Sequence, residues 1–195
     1  TMPGIPGGEV VGWRFLPIIE YRTLPGVEAA ARIGNYRALV QTGDGFKPGT
    51  FIGVDRVDFS HVAFWRADFA PVALGELMNQ LAITENGILL PRDFIEQHFL
   101  QVGDTVNVTV LAYETSVVVP LKLVGSFDYF PTWYPETGPL VVGNLDYYFM
   151  YAQTQFPYSV WLNTTPDVDY VGMARAMWEK QLGGQDILVA SERIL

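Results

Sequence analysis

Cysteine is absent from this chain of 195 residues. Its absence excludes disulfide bonds, thiolate nucleophiles and thiolate metal ligands together. The compartment stays open, because exported proteins without cysteine occur wherever folding does not rely on disulfides.

Histidine is scarce, with only His61 and His98. Neither has a partner at metal-ligand spacing, so no metal site is predicted. His98 lies on an apolar helix face, which favours a structural role. His61 lies near Asp55 and Asp58, so a His–carboxylate pair is conceivable. No Gly-x-Ser-x-Gly segment accompanies it, however, and catalysis there is not expected.

Clusters of positive charge are also missing. The net charge is −9, from 21 acidic and 12 basic residues spread along the chain. Binding to nucleic acid or to anionic lipid requires concentrated positive charge, so neither is an expected partner. No glycine-rich phosphate loop is present, and no cofactor is predicted.

Long apolar runs are missing as well. No stretch reaches the ~18–20 uninterrupted apolar residues of a membrane span, and the start lacks a signal peptide pattern. We expect residues 1–20 to be a flexible lead-in and both ends to be cuts inside a longer polypeptide. The 49% hydrophobic and 14% aromatic content predicts a globular domain with a substantial core.

Periodicity predicts alternating helices and strands. Strands are expected at 29–42, 51–54, 88–90, 105–111, 116–125, 140–142, 158–162 and 187–189, with turns at Gly43-Asp44-Gly45 and at Pro48-Gly49 between the first two. Helices are expected from a cap at Asp58 or Ser60 through 62–65, and at 74–82, 92–100, 145–153 and 167–182. The strands at 105–111 and 116–125 form the clearest hairpin, and Pro120 indicates an edge or a bulge in the second. The last strand–helix–strand unit, 158–189, predicts a right-handed crossover with parallel pairing, so the fold class is α+β with a mixed sheet.

The least regular segment is rich in aromatic residues and proline; we call residues 127–134 the aromatic segment. We expect Phe127 and Phe130 to be buried. Trp133 and Tyr134 are the better candidates for partner contact, and Tyr129 is a further one.

A small hydrolase is a weaker hypothesis. Two carboxylates at ~5–10 Å suffice for glycoside hydrolysis, and Asp55, Asp58 and Asp128 are candidates. Most carboxylates here fall in turns or on helix faces, where solvated acids and helix caps are usual.

The order of the elements carries a family resemblance. The matching signs run from Leu24-Pro25-Gly26-Val27 through Phe51-Ile52-Gly53-Val54-Asp55, Phe59, Phe64-Trp65-Arg66, Ile88-Leu89-Leu90-Pro91-Arg92-Asp93-Phe94 and Val102-Gly103-Asp104-Thr105-Val106 to Leu123-Val124-Gly125. In this order and spacing, over residues 21–190, the chain resembles the extracytoplasmic core domain of MacB/FtsX-like ABC-transporter permeases.

The resemblance implies a domain architecture. Such a domain is inserted between the first two membrane helices of a permease, on the extracytoplasmic side of the cell membrane. It implies a βαβ-containing base, here 21–60 and 139–195, that carries an inserted β-rich lobe, here 61–138.

The resemblance also implies a non-catalytic role in substrate handling or mechanotransmission. Its implied partners are the membrane helices of the same chain, a cytoplasmic ATP-binding subunit and a second copy of the permease. The alternative is a secreted or cell-surface binding module that uses the aromatic segment.

Overall fold

A computed structural model describes residues 15–182 of the chain. These residues form seven β-strands and six α-helices. The strands are β1 (Val27–Thr42), β2 (Gly45–Val54), β3 (Gly87–Pro91), β4 (Thr105–Ala112), β5 (Thr115–Phe127), β6 (Leu140–Asn144) and β7 (Ser159–Thr164). The helices are α1 (Ile18–Arg22), α2 (Phe59–Val62), α3 (Leu74–Ile83), α4 (Arg92–Gln97), α5 (Leu145–Ala152) and α6 (Tyr170–Glu179). The predicted α+β class with a mixed sheet is confirmed.

Six of the strands close into a ring. Going round it, β1 pairs with β2, then β6, β3, β5 and β4 follow, and β4 pairs back with β1. The β2–β6 and β3–β5 pairs are parallel and the other pairs are antiparallel. Strand β1 is long enough to extend past the ring, where its first residues pair with β7. Closure leaves fewer strand edges than an open sheet would have.

Alternation along the strands divides the core into two clusters. Ile88 and Leu90 belong to an inner cluster with residues of β1, β4 and β5, whereas Leu89 between them belongs to an outer cluster. Successive side chains of a strand point to opposite faces, so both faces of the ring wall are buried. The outer cluster is covered by α2, α3 and the aromatic segment.

A third cluster joins the two ends of the described chain; we call Tyr21, Leu24, Ala30, Met173 and Leu182 the terminal cluster. An ion pair of 3.5 Å between Glu20 Oε2 and Lys180 Nζ lies beside it. The chain therefore enters and leaves the described fold at neighbouring points.

The predicted hairpin is confirmed as β4–β5, in register from Thr105↔Lys122 to Ala112↔Thr115. Pro120 lies on a local edge, as predicted, because pairing with β3 on its other side begins only at Lys122.

The predicted turn at Pro48-Gly49 is wrong, since both residues lie within β2. There β2 pairs with β1, and its pairing with β6 begins only at Thr50, so a proline is tolerated.

Three helices are shorter than predicted. The first predicted helix ends at Val62, and Phe64 is 73% exposed beyond it. Helix α4 ends at Gln97, so His98, expected on its apolar face, follows its last residue, and Phe99 is 90% exposed with a φ of 54°. Helix α6 begins at Tyr170, because the Asp169 side chain accepts a hydrogen bond from Val171 N and caps it.

The predicted strand at 187–189, and with it the crossover it would complete, lies outside the described residues. Within residues 15–182, no helix combines the length and apolarity that crossing a bilayer requires. The ring contains strands from both the predicted base and the predicted lobe. The division of the chain into a base and a lobe stays a prediction.

Candidate partner-binding groove

A groove of about 730 Å³ opens where the first residues of β2, helix α4 and the aromatic segment meet. Its apolar lining consists of Pro48, Pro91, Phe94, Trp133, Pro135, Gly138 and Pro139, together with the ring of Tyr129. Its polar lining consists of Lys47, Asp68, Arg92, Asp93, Gln97, His98 and Asp128. Its size is that of sites that hold small molecules or short peptide segments.

Helix α4 places two charged residues of its first turn at the groove. Pro91 ends the buried strand β3, and its φ of −58° directs the chain into the helix. Arg92 Nη2 then donates to Asp128 Oδ2 at 2.7 Å, which links the helix to the aromatic segment. The two side chains are 42% and 33% exposed, so the pair orients the groove wall more than it stabilises the fold.

The aromatic segment is anchored at several points. Asp128 N and Tyr129 N both donate to Phe69 O, at 2.7 and 3.0 Å. Trp133 Nε1 donates to Gly138 O at 2.9 Å, and its ring meets the ring of Phe127 edge-on at 5.6 Å. These contacts give the segment a defined conformation although it has no regular secondary structure after Phe127, the last residue of β5.

The chain after the aromatic segment lies directly on β2. Thr50 N donates to Pro139 O at 3.0 Å. Gly138 has a φ of 95°, and a Cβ atom there would meet Pro48 O. Only glycine suits this close approach in this conformation, so Gly138 closes one side of the groove.

Asp44, in the turn between β1 and β2, holds another part of the wall. Hydrogen bonds from Lys47 and Thr42 keep the pKa of its carboxyl well below the usual range. His98 Nδ1 lies 3.3 Å from Asp44 Oδ1, and the His98 ring packs on Phe94 with centroids 4.4 Å apart. These contacts suit the structural role expected for His98.

Two solved structures share this arrangement of strands and helices. The extracellular domain of the noncanonic ABC-type transporter YknZ from Gram-positive bacteria aligns with a TM-score of 0.59 at 12% identity, covering 86% of this chain and 83% of that one. The chain has the fold of a MacB-like extracytoplasmic domain. The periplasmic region of MacB from Actinobacillus actinomycetemcomitans aligns with a TM-score of 0.52 at 8% identity, covering 84% of this chain and 70% of that one. No family model matches the sequence, and neither does any curated protein.

The MacB-like fold agrees with the resemblance drawn from the order of sequence elements. Of the residues proposed for partner contact, Tyr129 and Trp133 line the groove, whereas Tyr134 is 64% exposed outside its lining. Phe127 and Phe130 are buried at 0% and 3%, as predicted. Arg92 and Asp93 were not predicted as site residues. The sequence pattern predicts only that they begin a helix, and it does not predict that the helix packs beside the aromatic segment.

In the MacB-like fold, each of the three aspartates considered for the hydrolase hypothesis forms an ion pair with an arginine. Asp128 pairs with Arg92 in the groove. Asp58 pairs with Arg22 at 2.6 Å, and the buried Asp55 pairs with Arg32 at 2.6 Å. Each carboxylate therefore has a basic partner within the fold.

His61 is exposed at the end of α2, and its contact with Asp58 is a backbone hydrogen bond, in which His61 N donates to Asp58 O at 3.0 Å. The conceivable His–carboxylate pair is not formed, since Asp55 and Asp58 bind arginines. Within residues 15–182, no three His, Asp or Glu side chains are grouped as a metal ion would require.

Proposed function

We propose that this chain is the extracytoplasmic domain of an ABC-transporter permease, with no catalytic residues of its own. The observation that carries the proposal is the fold shared with the extracellular domain of YknZ over 86% of this chain. In this role the domain handles a substrate or transmits mechanical work, while a separate cytoplasmic ATPase hydrolyses the nucleotide.

The terminal cluster supports this placement. A domain inserted between two consecutive membrane helices must receive and return the chain at one face. Tyr21 and Leu24 pack in one cluster with Met173 and Leu182, and Glu20 pairs with Lys180. The proposed partners are therefore the membrane helices of the same chain, an ATP-binding subunit and a second permease copy.

The groove is the proposed contact surface, with Tyr129 and Trp133 in its lining and Tyr134 beside it. In the proposed architecture, residues 61–138 form a lobe on a base of residues 21–60 and 139–195. Helix α4 and the aromatic segment both belong to the lobe. A partner bound in the groove would therefore contact the lobe, which the base separates in sequence from the proposed membrane helices.

Labelling of single cysteines tests the proposal, because the chain has none of its own. Tyr134→Cys is introduced into the protein expressed from its complete reading frame, and intact spheroplasts are treated with a membrane-impermeant maleimide. We expect labelling without lysis, since Tyr134 is 64% exposed. We also expect an ATP-binding subunit to copurify with the protein from detergent extracts.

Ala30→Cys is the matched control, because Ala30 is 0% exposed and should react only after denaturation. If Tyr134→Cys reacts only in lysed cells, the domain faces the cytoplasm and the proposal is wrong. A protein recovered entirely in the soluble fraction would also contradict it.

A further inference from the structure

Among the aspartate, lysine and arginine side chains that line the groove, all but one form an ion pair. The ion pairs there are Lys47–Asp44, Arg66–Asp68 and Arg92–Asp128, with N–O distances of 2.7, 2.6 and 2.7 Å. The Asp93 side chain, which lies in the groove lining, has no hydrogen bond or ion pair to any part of residues 15–182. Its side chain is exposed, so a negative charge without a partner faces the groove.

Aromatic surface lies in the same groove as this carboxylate. Tyr129 is 54% exposed and Trp133 is partly exposed; the Tyr129 ring packs against Phe69, and the Trp133 ring packs against Phe127. A carboxylate together with aromatic rings is suited to an organic cation, through a charge-assisted hydrogen bond and a cation–π contact. The net charge of −9 attracts cations to the protein as a whole.

The remaining lining indicates what carries the cation. Four prolines and Phe94 give the groove rigid apolar walls, against which a ligand needs hydrocarbon surface. A bare metal ion fits poorly, since the described residues offer no group of three His, Asp or Glu ligands. Anionic ligands would be repelled by Asp93.

We propose that this groove binds a basic, extended polypeptide segment. One Lys or Arg side chain of that segment lies between Asp93 and Tyr129, and its apolar neighbours pack on Trp133 and Pro135. Because proline-rich walls and anchored rings are ordered before the ligand arrives, little side-chain entropy is lost on binding. The proposal rests on the proposed function for where the ligand is met, but the binding itself is a property of this chain.

Calorimetric titration of the purified chain with three capped hexapeptides tests the proposal. The peptides repeat Lys-Pro-Leu, Gln-Pro-Leu or Glu-Pro-Leu. We expect the lysine peptide to bind, the glutamine peptide to bind about tenfold more weakly, and the glutamate peptide not to bind. Affinity for the lysine peptide should fall severalfold between about 50 and about 500 mM NaCl, because salt screens exposed charges.

Variants of the groove locate the interaction. Asp93→Asn and Tyr129→Ala should each weaken binding of the lysine peptide by about tenfold. Glu96→Gln is the matched control, because Glu96 is exposed on the same helix outside the groove lining, and it should leave affinity unchanged. Gln97→Lys provides a second test by placing a cation in the groove, and it should also weaken binding.

Three outcomes would overturn the inference: no binding of the lysine peptide, equal binding of the glutamate peptide, or unchanged affinity in both Asp93→Asn and Gln97→Lys. None of them would affect the labelling result that tests the proposed function. Conversely, a cytoplasmic location would leave a measured peptide affinity intact, so the two proposals fail separately.

Discussion

Arg32 joins three parts of the chain that are distant in sequence. Its guanidinium donates to both carboxylate oxygens of Asp55, at 2.9 and 2.6 Å, and to Asp146 at 2.9 Å. Burial disfavours the charged guanidinium, but the hydrogen bonds and attraction of these two carboxylates outweigh it and raise the pKa of Arg32. A single side chain thus connects β1, the end of β2 and helix α5.

Removing the charge of Asp55 should destabilise the fold. Asp55→Asn leaves Arg32, which is 20% exposed, without its closest counter-charge, and we expect the free energy of unfolding in urea to fall by about 3 kcal/mol. Asp68→Asn is the control, because the Arg66–Asp68 pair is more than half exposed, and it should cost less than about 1 kcal/mol. Equal effects of the two substitutions would contradict this assignment.

Tyr36 and Tyr148 lie side by side in the inner cluster, with ring centroids 5.5 Å apart. Tyr36 Oη donates to Pro157 O at 3.0 Å, whereas Tyr148 Oη is buried without a hydrogen-bond partner in the described chain. Burial raises the pKa of both phenols, and for Tyr36 the neighbouring tyrosines add to the effect. Two similar side chains therefore contribute differently to stability.

Tyr148→Phe should leave the free energy of unfolding at pH 7 unchanged or raise it, since an unsatisfied hydroxyl is removed. Tyr36→Phe, which removes a hydrogen bond, should lower it by about 1 kcal/mol. Above about pH 10 the unfolded chain ionises these phenols while the folded chain keeps them neutral, so stability falls as pH rises. Unfolding curves from pH 7 upward should therefore show a shallower alkaline loss for Tyr148→Phe, and a loss identical to that of the unaltered protein would refute the assignment.

At the scale of elements, the aromatic segment is held by contacts with its surroundings. It has no regular hydrogen-bonding pattern of its own after Phe127, so its conformation is set by the Phe69 carbonyl and by Arg92, and the chain that follows it is held on β2. Gly138 makes the last of these contacts possible, because it allows the chain to approach Pro48.

Gly138→Ala should disturb this contact. Its φ of 95° is strained for alanine, and the added Cβ would also meet Pro48 O. Gly103→Ala is the matched control, because its φ is 104° but a Cβ there meets nothing within 4 Å. We expect Gly138→Ala to lower the free energy of unfolding by about 1–3 kcal/mol more than Gly103→Ala; similar losses would mean that the close approach contributes nothing.

Element positions were largely predictable where local chemistry decides them. Strand β4 alternates apolar and polar residues, and its burial alternates accordingly. Asn144 was not recognised as a cap, although its side chain accepts hydrogen bonds from Asp146 N and Tyr147 N at the start of α5. Pro48-Gly49 was read as a turn because the two residues favour turns locally, and pairing with β1 overrides that preference.

At the scale of the whole molecule, the ring of strands connects the inner and outer clusters. Strand β3 gives Ile88 and Leu90 to the inner cluster and Leu89 to the outer one. The ring also takes β1, β2 and β6 from the predicted base and β3, β4 and β5 from the predicted lobe. Neither cluster can lose its packing without disturbing strands that the other shares.

We therefore expect a single cooperative unfolding transition. Leu123→Ala in the inner cluster and Leu77→Ala in the outer cluster remove side chains that are 0% and 1% exposed. Each should lower the free energy of unfolding by about 2–5 kcal/mol and shift one common transition, followed by both tryptophan fluorescence and far-UV circular dichroism. Two separate transitions would show that base and lobe unfold independently.

The sequence by itself determined the classes of chemistry open to this chain and most of its local structure. Missing cysteine and dispersed charge are properties of composition, and hairpins and helix periods arise from residues close in sequence. The tertiary structure alone decided the closure of the ring, the arginine partner of each candidate acid and the groove that Asp93 and Tyr129 both line. Those features join residues about 20 to more than 100 positions apart, and such pairings are decided by how the elements pack rather than by any local pattern.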